Sequence, residues 1–185
     1  MSDIVRQLLL QLILILLNAF FAATEIAVIS LNEKKVKARA EDGDKKAVKM
    51  LKMIEEPTRF LSTIQIGITL AGFLGSAFAA DNFAEKLSGF IVETFAISDA
   101  HIGAVNTAAV IVITLILSFF TLVFGELVPK RVAMKDPDAV ALKVVGIVWG
   151  MYRVCRPFVR FLAFSTNLVL KLFGIGAENE EEPVG

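Results

Sequence analysis

The residues best placed to do chemistry are Gly125-Glu126-Leu127-Val128-Pro129-Lys130-Arg131. They close an uncharged stretch of about 25 residues, long enough to span a bilayer. Pro129 has no N–H, so the carbonyl of Gly125, four residues earlier, loses the donor that a helix would supply. Glycine leaves that carbonyl approachable, and a free backbone oxygen is therefore expected beside the Glu126 carboxylate. Oxygen ligands of this kind suit a hard cation such as Mg2+, and a carboxylate at membrane depth marks a functional site by default. The competing reading of the same residues is a helix stop with a basic flank. A second carboxylate, Glu25, lies toward the end of the first apolar stretch, at a comparable depth. A charged side chain at the centre of a membrane helix costs about 2.5–3.5 kcal/mol, so each carboxylate needs a partner. A bound cation, a shared proton, or Lys130 and Arg131 folding back would serve.

Other chemistries are poorly provided for. His101 is the only histidine, so no Ser/His/Asp set exists, and Cys155 is a lone cysteine without a CxxC partner. No glycine loop cradles a phosphate. Cation handling fits better than catalysis, and the chain is read as a non-enzyme. Its 19 basic and 19 acidic residues cancel, which gives no reason to expect nucleic acid as a partner. A hydrophobic content of 56% and a mean hydropathy of +0.68 describe an all-α integral membrane protein.

The elements that must position the carboxylates follow from charge and length. Helix one is expected over about 4–31, a retained transmembrane helix rather than a signal peptide. The segment 32–57 interleaves basic and acidic residues around Asp42-Gly43-Asp44 and reads as short solvated helices in the cytoplasm. Helix two is expected over about 58–80, then an external, cation-poor segment up to His101, and helix three over about 102–128. Amino terminus outside and carboxyl terminus in the cytoplasm follow from the basic loop. The region 138–174 is interrupted by cations, of which Arg153, Arg156 and Arg160 share one helical face. It reads as juxtamembrane amphipathic helices whose arginines snorkel to lipid head groups, with a fourth crossing as the competing reading. Residues 1–175 thus form a transmembrane domain, and 176–185 an acidic linker.

Each crossing carries a stripe of small or weakly polar residues at helical spacing: Gln11, Asn18, Ala22 and Glu25; Ser62, Gln65, Thr69, Gly72 and Ser76; Thr107, Thr114, Ser118, Thr121 and Gly125. Lipid supplies no hydrophobic drive between helices, so such stripes mark the faces that pack.

Three motifs carry a resemblance: Phe20-Phe21-Ala22-Ala23-Thr24-Glu25-Ile26-Ala27, Gln65-Ile66-Gly67-Ile68-Thr69-Leu70-Ala71-Gly72, and Gly125-Glu126-Leu127-Val128-Pro129-Lys130. In this order and spacing the chain resembles the membrane domain of the cyclin-M/CorC family. The resemblance implies three transmembrane helices with a juxtamembrane belt, a homodimer, and cystathionine-beta-synthase-type regulatory domains further along the full-length protein. It also implies Mg2+ export, coupled to Na+ in some members, with Glu126 as carboxylate ligand and Gly125 presenting its carbonyl. The chain departs from the magnesium-binding pattern at Ala22, where a serine is usual, and at Ile68 and Gly72, where asparagines are. Thr24, Glu25, Thr69 and Gln65 then complete an inward-facing cavity in an inner-membrane exporter, and helix three would flex at Pro129. A polyamine is the rival substrate. A membrane anchor that transports nothing and serves the regulatory domains is the rival class.

Overall fold

The computed structural model describes residues 3–174, so the expected acidic linker at 176–185 lies outside the described residues. Three helical runs, Ile4–Ile29, Pro57–Phe95 and Asp99–Lys135, are long and apolar enough to cross a membrane, and the protein is an all-α integral membrane protein. The helices are α1 (Asp3–Ile29), α2 (Glu33–Glu41), α3 (Lys45–Glu55), α4 (Pro57–Ala79), α5 (Glu85–Phe95), α6 (Ile102–Leu122), α7 (Val128–Lys135) and α8 (Pro137–Leu172).

Pairwise contacts fix the directions of the crossings. Gln7 meets Asn82 (2.7 Å), Gln11 meets the Gly75 carbonyl (2.8 Å), and Phe21 packs on Gly67, so α4 runs antiparallel to α1. Asn18 meets Gly125 and Glu25 meets Lys130, so the third crossing runs parallel to α1. The charged loop therefore sits at the end of the bundle that holds both carboxylates.

That loop is built by capping. Asn32 accepts from the Lys35 N–H at the start of α2, and Asp44 accepts from the Lys46 and Ala47 N–H groups at the start of α3. Between them Gly43 takes a φ of +88°, a turn that favours glycine. Arg39 clasps Asp44 across the turn at 2.6 Å. The α2–α3 pair is not merely solvated, as mixed charge suggested. Val36, Ala47, Met50 and Met53 are buried with Phe21, Val28, Phe60 and Ile64 and with Ala141, Val145 and Val148 of α8. Phe60 stacks on Trp149 at 5.3 Å, and the Lys52 ammonium lies over that indole. Water drives apolar burial here as lipid cannot, so the main core forms at the charged end of the bundle.

Three expectations about element boundaries need correction. The third crossing does not end at 128: it passes through a π turn, Val123–Leu127, and continues as α7 to Lys135. Pro129 is the second residue of α7, directly after the π turn, so its missing N–H falls where the helical ladder is already irregular. The segment after α4 is helical rather than an open loop, a π turn over Ala80–Ala84 leading into α5. The juxtamembrane helices expected over 138–174 are one helix, Pro137–Leu172, of 36 residues that carries Pro157 within it. Only its first turns pack against the bundle, and from Arg153 onward most of its side chains are exposed.

Candidate cation site

Glu25 is near the end of α1 because Phe21, Ala27 and Val28 anchor that end in the core. Glu126 lies in the π turn of the third crossing, and Lys130 one turn further on in α7. These placements bring three charges together. The Lys130 ammonium donates to Glu126 Oε1 at 2.9 Å and lies 3.0 Å from Glu25 Oε2. All three side chains remain about a quarter to a third exposed, at 26%, 32% and 26% for Lys130, Glu126 and Glu25. The partner that each carboxylate needs is therefore Lys130 folding back, one of the solutions open at the outset. Arg131 is exposed and outside this cluster. Two carboxylates and one ammonium leave a formal charge of −1.

Beside the cluster, the Gly125 carbonyl is not free, which corrects the expectation drawn from Pro129. Asn18 Nδ2 donates to it at 3.1 Å, and both residues are buried. A Cβ on Gly125 would meet Asn18 Nδ2 at 3.2 Å and the Ile15 carbonyl at 3.3 Å, so only glycine lets the two helices approach this closely. Asn18 is 3% exposed, yet its Oδ1 has no hydrogen-bond partner among the described residues. A buried amide oxygen without a donor costs about 1–3 kcal/mol unless a water or cation satisfies it. Asn18 was visible in the stripe of helix one, but nothing in its spacing distinguished it from a packing residue. The signal was Pro129, whose missing N–H demanded a donor from elsewhere.

The other predicted residues scatter. Thr24 is fully buried and its hydroxyl donates to the Phe20 carbonyl at 2.7 Å, within its own helix. Gln65 and Thr69 are exposed on α4. Thr69 lines a cleft of about 530 Å3 between α1, α4 and α6, together with Gln11, Ser76, Thr114, Ser118 and Thr121. The three polar stripes do converge there, but the cleft wall includes neither carboxylate nor Gln65. Among the described residues no group of three or more histidine, cysteine, aspartate or glutamate side chains is arranged to hold a metal.

Comparison with known proteins agrees with this architecture. The family model described as the cyclin M transmembrane N-terminal domain matches residues 9–184. A Synechocystis protein called "UPF0053 protein sll0260" is 34% identical over 99% of this chain and 40% of its own length. A Haemophilus influenzae protein called "Polyamine export protein" is 33% identical over 91% of this chain and 38% of its own length. The Bacillus subtilis "UPF0053 protein YrkA" is 30% identical over 95% of this chain and 39% of its own length. The chain thus spans about 40% of the length of these relatives. With three crossings in the expected order and the three motifs on them, it belongs to the cyclin M transmembrane N-terminal domain family.

Proposed function

We propose that this chain is the membrane-spanning part of a cation exporter of the bacterial inner membrane, with the cation bound between Glu25 and Glu126. The observation that carries the reading is the Glu25–Lys130–Glu126 cluster, in which two carboxylates from different crossings already hold a cationic group at 2.9–3.0 Å. Asn18 Oδ1, about two turns before Glu25 on α1, is buried and without a partner among the described residues. Two substrates are in play. Mg2+, exchanged for Na+, is what the family resemblance brings, and the oxygen donors suit it. A polyamine is supported by one specific feature: the cluster accommodates a primary alkylammonium, that of Lys130, and a relative bears the name "Polyamine export protein".

The remaining assignments belong to the same proposal. The amino terminus faces outward, and the charged α2–α3 loop faces the cytoplasm, where basic residues favour retention. The chain works as a homodimer, supported by Gln65 and Thr69, which are exposed on a membrane-crossing helix and need hydrogen-bonding partners that lipid does not offer. Arg153, Arg156 and Arg160 of α8 lie among exposed apolar side chains and contact lipid head groups. Regulatory domains follow in the full-length protein, and Pro129 with its adjoining π turn is the point of flexure.

The test is thermal stability of the purified chain against titrated Mg2+, Mn2+, Na+ and spermidine, wild type beside Glu126→Gln. A ligand that binds only the native state stabilises it by about 2.7 kcal/mol at a hundredfold excess over Kd. Stabilisation by one of these cations, lost in the variant, is the expected result and identifies substrate class and site together. A wild type that responds to none, or a variant that responds equally, refutes the assignment and favours the anchor.

A further inference from the structure

Resting on the cation-exporter reading above, we propose that Lys130 is a tethered counter-ion, which fills the site when no cargo is bound and lets the empty carrier return without a counter-transported cation. The Lys130 ammonium donates to Glu126 Oε1 at 2.9 Å and lies 3.0 Å from Glu25 Oε2, so one cation belonging to the chain itself serves both carboxylates. Glu126 and Lys130 stand four residues apart on one helical run, the glutamate on the N-terminal side, which is the favourable order for such a pair. That pair therefore travels with the third crossing and survives any movement of α1 against it. Glu25, by contrast, reaches the ammonium only across the contact between α1 and α7. The other cation of the motif, Arg131, is exposed and outside the cluster.

A tether of this kind competes with every entering cation alike, lowering all apparent affinities by one factor, so it sets no preference among them. Its consequence lies in the step after release. An empty site without the tether holds two carboxylates and no partner, a formal charge of −2 that a membrane interior strongly disfavours. A carrier built that way returns only with another cation or with protons aboard, which makes it an exchanger. With Lys130 in place the empty site carries −1, and each carboxylate faces an ammonium. When cargo binds, the flexible four-carbon stem lets the ammonium withdraw, and the side chain, 26% exposed, is not enclosed by its neighbours. On release of the cargo it re-enters, at an effective concentration on the order of millimolar set by its attachment. Exchange for Na+ is then dispensable, and net export needs no cation on the receiving side.

The full-length protein in proteoliposomes tests this, with isotopically labelled Mg2+ and spermidine as probes. Both compartments are held at the same mildly alkaline pH to keep protons from standing in for the ammonium, and thiocyanate is present to dissipate the membrane potential. Release of loaded probe is measured into a medium whose only cation is impermeant N-methylglucamine, which reads net export, and into one containing unlabelled probe or Na+, which reads exchange. Wild type is expected to show both. In Lys130→Met the ratio of net export to exchange falls at least about tenfold, because the empty site returns with one more uncompensated charge. A second variant guards against misfolding. Lys130→Cys, with Cys155 and any other cysteine of the full-length chain replaced by serine, is coupled to an aminoethyl thiol through a disulfide, which rebuilds the ammonium. It is reconstituted in that form and assayed before and after reduction, so that the charge is removed from a chain already folded. The coupled form is expected to export net and the reduced form only to exchange. If wild type exports only against a cation on the far side, if Lys130→Met keeps the wild-type ratio, or if reduction leaves the ratio unchanged or abolishes both modes, the tether is overturned while the cation-exporter reading stands. If no form moves either probe in either assay, that reading falls and the tether falls with it.

Discussion

Replacing Gly67 with alanine tests the packing that holds Glu25 in place. The ring of Phe21 points end-on at Gly67, and a Cβ there would lie 2.6–2.7 Å from Cζ, Cε1 and Cε2. Ordinary carbon contacts need about 3.5–4.0 Å, so roughly 1 Å must be recovered by the ring or by the helices. Phe21 is 9% exposed and belongs to the core, with the Phe20 ring edge-on at 5.3 Å, so the ring has little room to swing. Overpacking of this kind costs about 1–3 kcal/mol. Alanine recovers about 1 kcal/mol through its better helix propensity, which leaves a net loss of about 0–2 kcal/mol. Because that range touches zero, the decisive assay is a double-mutant cycle, unfolding each protein by SDS titration in mixed micelles. Phe21→Leu alone leaves a void and destabilises; combined with Gly67→Ala it removes the clash. The two changes should therefore couple favourably by about 1–3 kcal/mol. Glu25 lies one turn beyond Phe21, so Gly67→Ala alone should also weaken cation binding and the double variant should recover it. Additivity within about 0.5 kcal/mol would mean that Phe21 does not press on Gly67, and the α1–α4 register inferred here would be wrong.

Two further outcomes are expected outside the crossings. The Arg39 guanidinium, with the Lys46 and Ala47 N–H groups, holds the Asp44 carboxyl below its ordinary pKa. A depressed folded-state value means that Asp44 contributes stability above its unfolded pKa of about 3.9, lost as pH falls through the folded value. Asp44→Asn keeps the helix cap, so its thermal stability should match wild type less closely at pH 7 than at pH 3; an unchanged difference between the two pH values refutes this role. Replacing Arg153, Arg156 and Arg160 together with glutamine should reduce the anionic lipid that copurifies with the protein, measured by mass spectrometry of extracted lipid. Equal lipid content in wild type and variant would remove the head-group assignment.

Much of this was legible in the residues, and for a physical reason in each case. The three crossings announced themselves because an uncharged apolar run of bilayer length has few other fates. The loop helices could be read from Asn32, Asp44 and Gly43, whose capping and turn geometry is local. The meeting of Glu25 with Glu126 was inferable from matching depth. What escaped were long-range pairings. Met50, Met53 and Phe60 look unremarkable in a charged stretch and its margin, and their burial depends on Val145 and Val148, nearly a hundred residues away. The continuity of α8 through Pro157 was equally hidden, since proline argues locally for a break. Gln65 and Thr69 were drawn into the site by their motif, but the rotation of α4, set by Phe21 against Gly67, turns Gln65 outward and puts Thr69 at the cleft away from the carboxylates, a contact their own spacing does not encode.

The same distinction explains why the candidate site is confined to the charged end of the bundle. The amides of α1 are at suitable depths to line a path, yet Gln7, Gln11 and Asn18 are all engaged in holding the helices together, Gln7 through Asn82 and the other two through glycine carbonyls. Gln11 donates to the Gly75 carbonyl of α4 at 2.8 Å, and Asn18 donates to the Gly125 carbonyl of the third crossing at 3.1 Å. In both cases the acceptor is a glycine, where the missing side chain lets an amide reach backbone of the neighbouring helix. The oxygen of each amide is not used in these ties, and that of Asn18 is the one buried without a partner among the described residues. Deeper in the bundle, therefore, the polar stripe of α1 is chiefly a set of ties between helices. Toward Glu25, Glu126 and Lys130 the unpartnered Oδ1 of Asn18 and two carboxylates sharing one ammonium leave polar capacity that these ties do not use, which is why the proposed cation site is placed there.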